Sequence, residues 1–315
     1  MRRWVLAAWL LVGCTDESAP RHDDASASAA VDGTQLVALE PRVAPSVEVQ
    51  DAGAEPRRRF VVTPEPGTTE PMTVTLDSTT RLRTGGQALP EIVSPTLSLR
   101  GRLEIDAVAD DAIVARHLVD EVTIASDSKA PDLLVQQLSA AKPAFESYRA
   151  TLTLDPRGGL REGTVEVETA GNDAVAQLLH QLTDAVVQAR VPLPETAIGQ
   201  GARWTAVSRI EQGELAVRQR VTYELTKIEG NHLHLSISVE QSLLDTHVAV
   251  PGMPGTKAKV ELFRSRGQGA ATLDTTHVLP SESHLQLSVK MVMDVGGGPQ
   301  ELELTLRASI GRSAD

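Results

Sequence analysis

The sequence predicts an α+β fold: a large antiparallel β-sheet, or two, in two β-rich halves, with two helices (about 131–142 and 173–190) packed on an apolar face. Three observations predict it. From Phe60 onward, apolar and polar residues alternate with period two, the signature of strands with one buried face. Turn signals rich in Gly, Pro and Asn separate these runs at hairpin spacing. Two intervening stretches instead repeat apolar residues at helical spacing.

The N-terminus is set apart from this fold. Met1-Arg2-Arg3 is a short cationic start, and Trp4 to Val12 is an apolar run far shorter than the roughly 20 residues a membrane-crossing helix needs. Small residues and an abrupt polar turn at Thr15-Asp16-Glu17 follow, so residues 1–13 are expected to be a cleaved export signal. Leu11-Val12-Gly13-Cys14 resembles the lipobox of bacterial lipoproteins at all four positions. That resemblance implies a diacylglycerol thioether and further acyl chains on Cys14, which anchor the protein to a membrane. Each buried methylene contributes about 0.8 kcal/mol, and two or more chains give stable attachment. By the same resemblance, Thr15 after the cysteine favours the outer membrane. Cys14 is also the only cysteine, so no disulfide can form and the core must be held by apolar packing.

Residues 14–56 are rich in Ala, Ser, Asp, Pro and Glu and are expected to be a lipidated, disordered tether, since they carry too little apolar surface to offset their ordering entropy. Leu36 to Leu39 is the one apolar patch within it, either a small docking element or a fluctuation of composition. The globular domain spans 57–315, as one unit or as halves 57–170 and 191–315 around the second helix.

Within the domain, Met72, Val74 and Leu76 mark a first strand, and Leu97, Leu99, Leu103 and Ile105 a second, interrupted at Gly101. Ile113 to Ile124 makes a third. The first helix starts near Pro131, with Leu133, Leu134, Leu138 and Ala141 on one side, and is expected to end or bend at Pro143. Tyr148–Leu154 and Leu160–Val167 form a hairpin around Asp155-Pro156-Arg157-Gly158-Gly159. The second helix begins after Asn172, a suitable cap, and carries the stripe Val175, Leu178, Leu179, Leu182 and Val186. Two further hairpins, turning at 229–232 and 296–299, fill the C-terminal third.

Pro192-Leu193-Pro194 followed by Gly199-Gln200-Gly201-Ala202-Arg203-Trp204 resembles a family of exported, β-rich bacterial lipoproteins with no assigned function, loosely over residues 70–310. The resemblance implies a fold and a cellular setting and brings no catalytic residues. Read physically, Trp204 is a core anchor for the strand that follows, and Gly199 and Gly201 allow the tight path into it. A nucleotide fingerprint does not fit these glycines, because it needs a strand before and a helix after.

A net charge of −12, from 42 acidic and 30 basic residues, argues against nucleic acid as a partner. Aromatic content of 3% argues against a sugar-stacking platform. No spacing demands a cofactor. His232 and His234 share one strand face and are the weak metal candidates, but that face continues as Ser236, Ser238 and Glu240, an ordinary solvent face. Ser126-Asp127-Ser128-Lys129 matches Ser-x-x-Lys without its companion elements and reads as a turn into the helix. Asp110-Asp111 and Glu301/Glu303 read as turn and strand-surface carboxylates.

These observations favour a membrane-anchored, non-catalytic binding or structural module of the cell envelope. In one form it carries an apolar ligand in a groove lined by Val175, Leu178, Leu179, Leu182 and Val186; the favoured reading of the same stripe is that it completes the core. The alternatives are a scaffold that binds an envelope protein, with the apolar loop Val248–Gly255 as an exposed contact or equally a packed connection between strands, and a hydrolase with a histidine or metal site.

Overall fold

The computed structural model describes residues 34–39, 45–126, 129–168, 190–212, 215–249, 257–294 and 298–313. Period-two alternation becomes strand in all of these segments. The N-terminal part holds β1 (Thr34–Leu39), β2 (Ser46–Asp51), β3 (Thr69–Thr84), β4 (Gln87–Ala88), β5 (Ile92–Val93), β6 (Thr96–Val108) and β7 (Ile113–Ala125). One helix, α1 (Asp132–Ser147), precedes the hairpin β8 (Arg149–Leu154) and β9 (Leu160–Glu168). The C-terminal part is β10 (Arg203–Gln212), β11 (Leu215–Glu229), β12 (His232–Leu243), β13 (His247–Ala249), β14 (Lys257–Asp274), β15 (Glu282–Asp294) and β16 (Pro299–Arg312).

All sixteen strands belong to one antiparallel sheet, in the order β1-β9-β8-β7-β6-β3-β16-β15-β14-β12-β11-β10-β2, with the short β4, β5 and β13 off this path. Each half of the chain is a meander, and the β16–β3 ladder joins them from Gln300↔Thr84 to Arg312↔Met72. The α+β expectation with two helices is therefore corrected. Strand makes up 65% of the structure, and α1 is the single helix among the described residues. The alternating runs extend well past the residues that first mark them, to 18 residues in β14, and they leave the helix an accessory place.

That place follows from strand lengths. β8 pairs only with Ile113–Leu118, so the second half of β7 lacks a strand neighbour on that side, and α1 packs against β7 there. α1 is longer than residues 131–142. It runs through Pro143 to Ser147, because Ala141 and the fully buried Phe145 hold its last turn against the core. Its buried side is Leu138, Ala141 and Phe145; Leu133, expected on that side, is 66% exposed. The second expected helix, 173–190, lies outside the described residues apart from Arg190, which is not helical.

Two strands fall inside the stretch whose composition suggests a tether. β1 pairs with β9 at one edge of the sheet, and β2 pairs with β10 at the other. β1 takes in the apolar patch Leu36–Leu39, while β2 alternates Val47 and Val49 with polar residues and is held largely by its ladder to β10. On β2, Val47 and Val49 alone pack against the core.

The sheet is strongly curled. β8 and β14 stand six places apart, about 29 Å on a flat sheet. Yet Val62 N–H donates to Pro156 O in the β8–β9 turn, and the next residue, Thr63, donates to Thr275 O just after β14, each at 2.8 Å. Two consecutive residues bridging these turns bring the halves together at one end. No ladder joins β1 to β2, so among the described residues the curl is open rather than a closed barrel.

The main apolar cluster fills the inside of this curl, with Leu103, Ile105, Ile113, Leu154, Leu225 and Leu233 at most 1% exposed. Trp204 is fully buried, stacks on Tyr223 at 5.5 Å and donates from Nε1 to Pro192 O at 2.9 Å. The anchor reading of Trp204 therefore holds, and the glycines before it have a specific role. A Cβ on Gly199 would lie 1.8 Å from Ala54 O, so only glycine lets the 52–56 segment close over this turn. Gly101 acts similarly at the β6–β7 bulge, where a Cβ would meet Leu118 O at 2.2 Å.

Candidate functional site

The strand registers set the inner face. On β14, β15, β16 and β3 the cross-strand row Phe263, Met291, Leu302 and Leu82 lies inside, followed by Val289 and Leu304, then by Leu287 and Leu306. The opposite face of the same strands is charged: Arg264, Lys290, Glu303 and Arg81 form one row, and Lys290 Nζ bonds Glu303 Oε1 at 3.1 Å. Elsewhere most inner positions are sealed, with Leu76, Ile237 and Leu285 only partly buried against the main cluster. Here Leu304, 4% exposed, and the polar Ser265, Thr80 and Ser78 of the same rows are buried, while the remaining apolar side chains named are only half-buried.

A polar ladder crosses this inner face. Ser265 Oγ donates to Gln241 Oε1 at 2.7 Å, and Gln241 Nε2 donates to Gln219 Oε1 at 2.8 Å. It separates the main cluster from a second one, Val248, Ala258, Val260 and Met293, against which Phe263 and Met291 pack. The half-exposed rows thus run past a line of amide and hydroxyl groups, an apolar surface with a few fixed polar points.

At the end where the halves meet, loops gather a buried polar cluster. Glu70 is 2% exposed and accepts the Val278 and Leu279 N–H groups at 2.8 Å each. Burial raises its pKa, against the pull of those two bonds and of His277 and Arg312. Burial also opposes ionisation of Asp274. The Thr276 hydroxyl and amide, with the charges of His277 and Arg312, nevertheless hold it down at about 2. Asp274 lies 2.9 Å from His277 Nδ1 and 3.2 Å from an Arg312 nitrogen. Thr276 Oγ1 lies 3.0 Å from His277 Nδ1, and among the described residues no hydroxyl bonds His277 Nε2.

Arg190 completes the cluster. It is 7% exposed, and neither terminal nitrogen has a hydrogen-bond partner among the described residues. Burial lowers its pKa to about 10, with Glu70 and Asp155 pulling it upward, so the guanidinium stays charged at neutral pH. It lines a pocket with Val62, Val191, Leu193, Val278 and Leu279, enclosing about 20 Å³ and, with its open mouth, about 360 Å³.

His117 is a second buried titratable group. It is 2% exposed, meets Tyr148 edge-on at 5.3 Å, and its Nδ1 has no partner among the described residues. Burial lowers its pKa to about 4.

The weak metal candidates sit outside the curl. His232 is exposed, and His234 bonds Glu229 at 2.9 Å and Thr272 at 3.3 Å. Among the described residues no group of three or more His, Cys, Asp or Glu is placed to hold a metal ion. Asp111 pairs with Arg161 at 2.9 Å, and Glu301 and Glu303 pair with Lys290 on the outer face. Val248 is 6% exposed and packed, while residues 250–256 of that loop lie outside the described residues. So do Cys14, Asp127, Ser128 and the whole stripe Val175, Leu178, Leu179, Leu182 and Val186.

The polar cluster was missed by spacing because its members lie far apart in the chain. Two signals were present: Glu70 shares the inward parity of Met72 and Val74, and His117 that of Ile113 and Ala115. A charged or polar side chain on an apolar parity marks a buried polar group. Compared with known proteins, the chain matches no family model and no curated protein sequence.

Proposed function

We propose that the protein is an exported, lipid-anchored, non-catalytic module of the bacterial cell envelope that holds an apolar ligand against the inner face of its sheet. The observation that carries this reading is the concentration of half-buried apolar side chains on adjacent inner rows of β14, β15, β16 and β3. Apolar surface costs about 25 cal/mol per Å² while it faces water, and contiguous patches of this kind on soluble proteins mark binding surfaces. The Ser265–Gln241–Gln219 ladder offers the few polar points that orient such a ligand. The setting rests on Met1 to Cys14, whose order of charge, apolar run and cysteine supports export and acylation.

Both parts are testable in a bacterium that exports the full chain. Labelled palmitate is expected to enter the wild type and to be absent from Cys14→Ala; equal labelling of both would remove the anchor. For the ligand, a photo-crosslinking amino acid at Met291, inside the curl, is expected to capture an adduct of lipid size. The same group at Lys290, on the outer face, is expected to capture none. An adduct of protein mass at Met291 would replace this reading with a scaffold that binds an envelope protein, and no adduct at either position would count against both.

A further inference from the structure

The charged pocket at the end of the curl is separate from the half-exposed rows and rests on its own observations. A guanidinium offers parallel N–H donors in a fixed fork, the geometry that matches a planar carboxylate. Arg190 presents that fork with both terminal nitrogens unpartnered and with 7% of its surface exposed. Leaving a buried cation without acceptors is costly, so native proteins pair such groups or bring a ligand to them.

The surroundings narrow what that ligand is. Val62, Val191, Leu193, Val278, Leu279 and Pro280 line the pocket, which favours an apolar body behind the acceptor. Asp274 also lines it and is ionised, and Glu70 lies close enough to act electrostatically on Arg190. These carboxyl groups repel a second negative charge, so a dianion such as phosphate is disfavoured while a monoanion is tolerated. The enclosed space of about 20 Å³ leaves room only for a small head group, so any tail lies toward the open mouth beside Val191 and Val278.

We propose that the Arg190 pocket is a binding site for a small monocarboxylate, the carboxylate held by the guanidinium fork and a short apolar chain lying along Val191 and Val278. This is a ligand distinct in size and charge from an apolar molecule on the inner rows, and it binds whether or not those rows are occupied.

The test is thermal unfolding of the detergent-extracted full chain with sodium butyrate, sodium chloride and sodium phosphate at equal ionic strength. Butyrate is expected to raise Tm saturably by about 2–4 °C, with little effect of the other two. Arg190→Met removes the charge while keeping an apolar chain. It is expected to unfold at or above the wild-type temperature without butyrate, because the unpaired cation is gone, and to lose the butyrate response. Arg190→Lys keeps the charge without the fork, and about tenfold more butyrate is expected for the same shift. An equal shift from chloride, a butyrate response that survives in Arg190→Met, or a marked loss of stability in Arg190→Met would each overturn the proposal. The last result would make Arg190 a structural partner of Glu70 and Asp155.

Discussion

Trp204→Ala is expected to lower the unfolding free energy by about 3–5 kcal/mol, the largest loss of any single truncation in the core. The indole is fully buried, stacks on Tyr223, and its N–H satisfies Pro192 O. Alanine removes the volume, the stack and the donor together. It also unseats the 190–201 segment from β10, because Trp204 is where that segment turns into the strand. Trp204→Phe keeps most of the packing and gives up the hydrogen bond, so about 1–2 kcal/mol is expected. Urea titration separates the two, the midpoint falling at an unchanged slope. Equal losses for Ala and Phe would mean that the hydrogen bond, not the buried ring, carries the effect.

Acid is expected to weaken the fold through His117. Burial holds its folded pKa at about 4, against 6.5 for an ordinary histidine. Above pH 6.5 both states are neutral there, and His117 leaves stability independent of pH. As pH falls from 6.5 toward 4, the unfolded chain takes up a proton that the folded chain refuses, and stability drops. The shift corresponds to about 3 kcal/mol by pH 4. His117→Leu is expected to flatten this slope, and it also removes the unpartnered Nδ1 beside Tyr148. Unfolding midpoints at pH 7, 6, 5 and 4.5 for both proteins measure the difference. Parallel pH curves would show that His117 is protonated or hydrated in the native state.

Where local chemistry sufficed, the fold was legible. The turns at Asp155–Gly159 and Glu229–His232 join antiparallel neighbours, and β15 pairs with β16, as their alternation predicts. Trp204 was legible as an anchor because a large aromatic beside Gly199 and Gly201 needs a tight approach to bury itself. The fold class was not: the helix at 131–142 forms and even extends to Ser147, but the strands run far past the residues that first mark them and dominate the chain. β1 was visible only as the short apolar patch Leu36–Leu39, with nothing local to name β9 as its partner, and β2 escaped composition because an edge strand adds ladder bonds rather than apolar bulk. The cluster of Glu70, Arg190, Asp274 and Arg312 escaped spacing entirely. Its members meet only because the sheet curls until the turn after β8 reaches the loop after β14.

The central claim is that the half-buried rows around Met291 and Leu302 hold an apolar ligand. Native mass spectrometry of the full chain, extracted from bacterial membranes in detergent, tests it most directly when compared with the denatured mass of the same sample. A lipid-sized mass is predicted that leaves on denaturation, remains when butyrate is added, and is lost when Met291 and Leu302 are both changed to Gln. Identical native and denatured masses in the wild type would contradict the account and leave these rows as ordinary core.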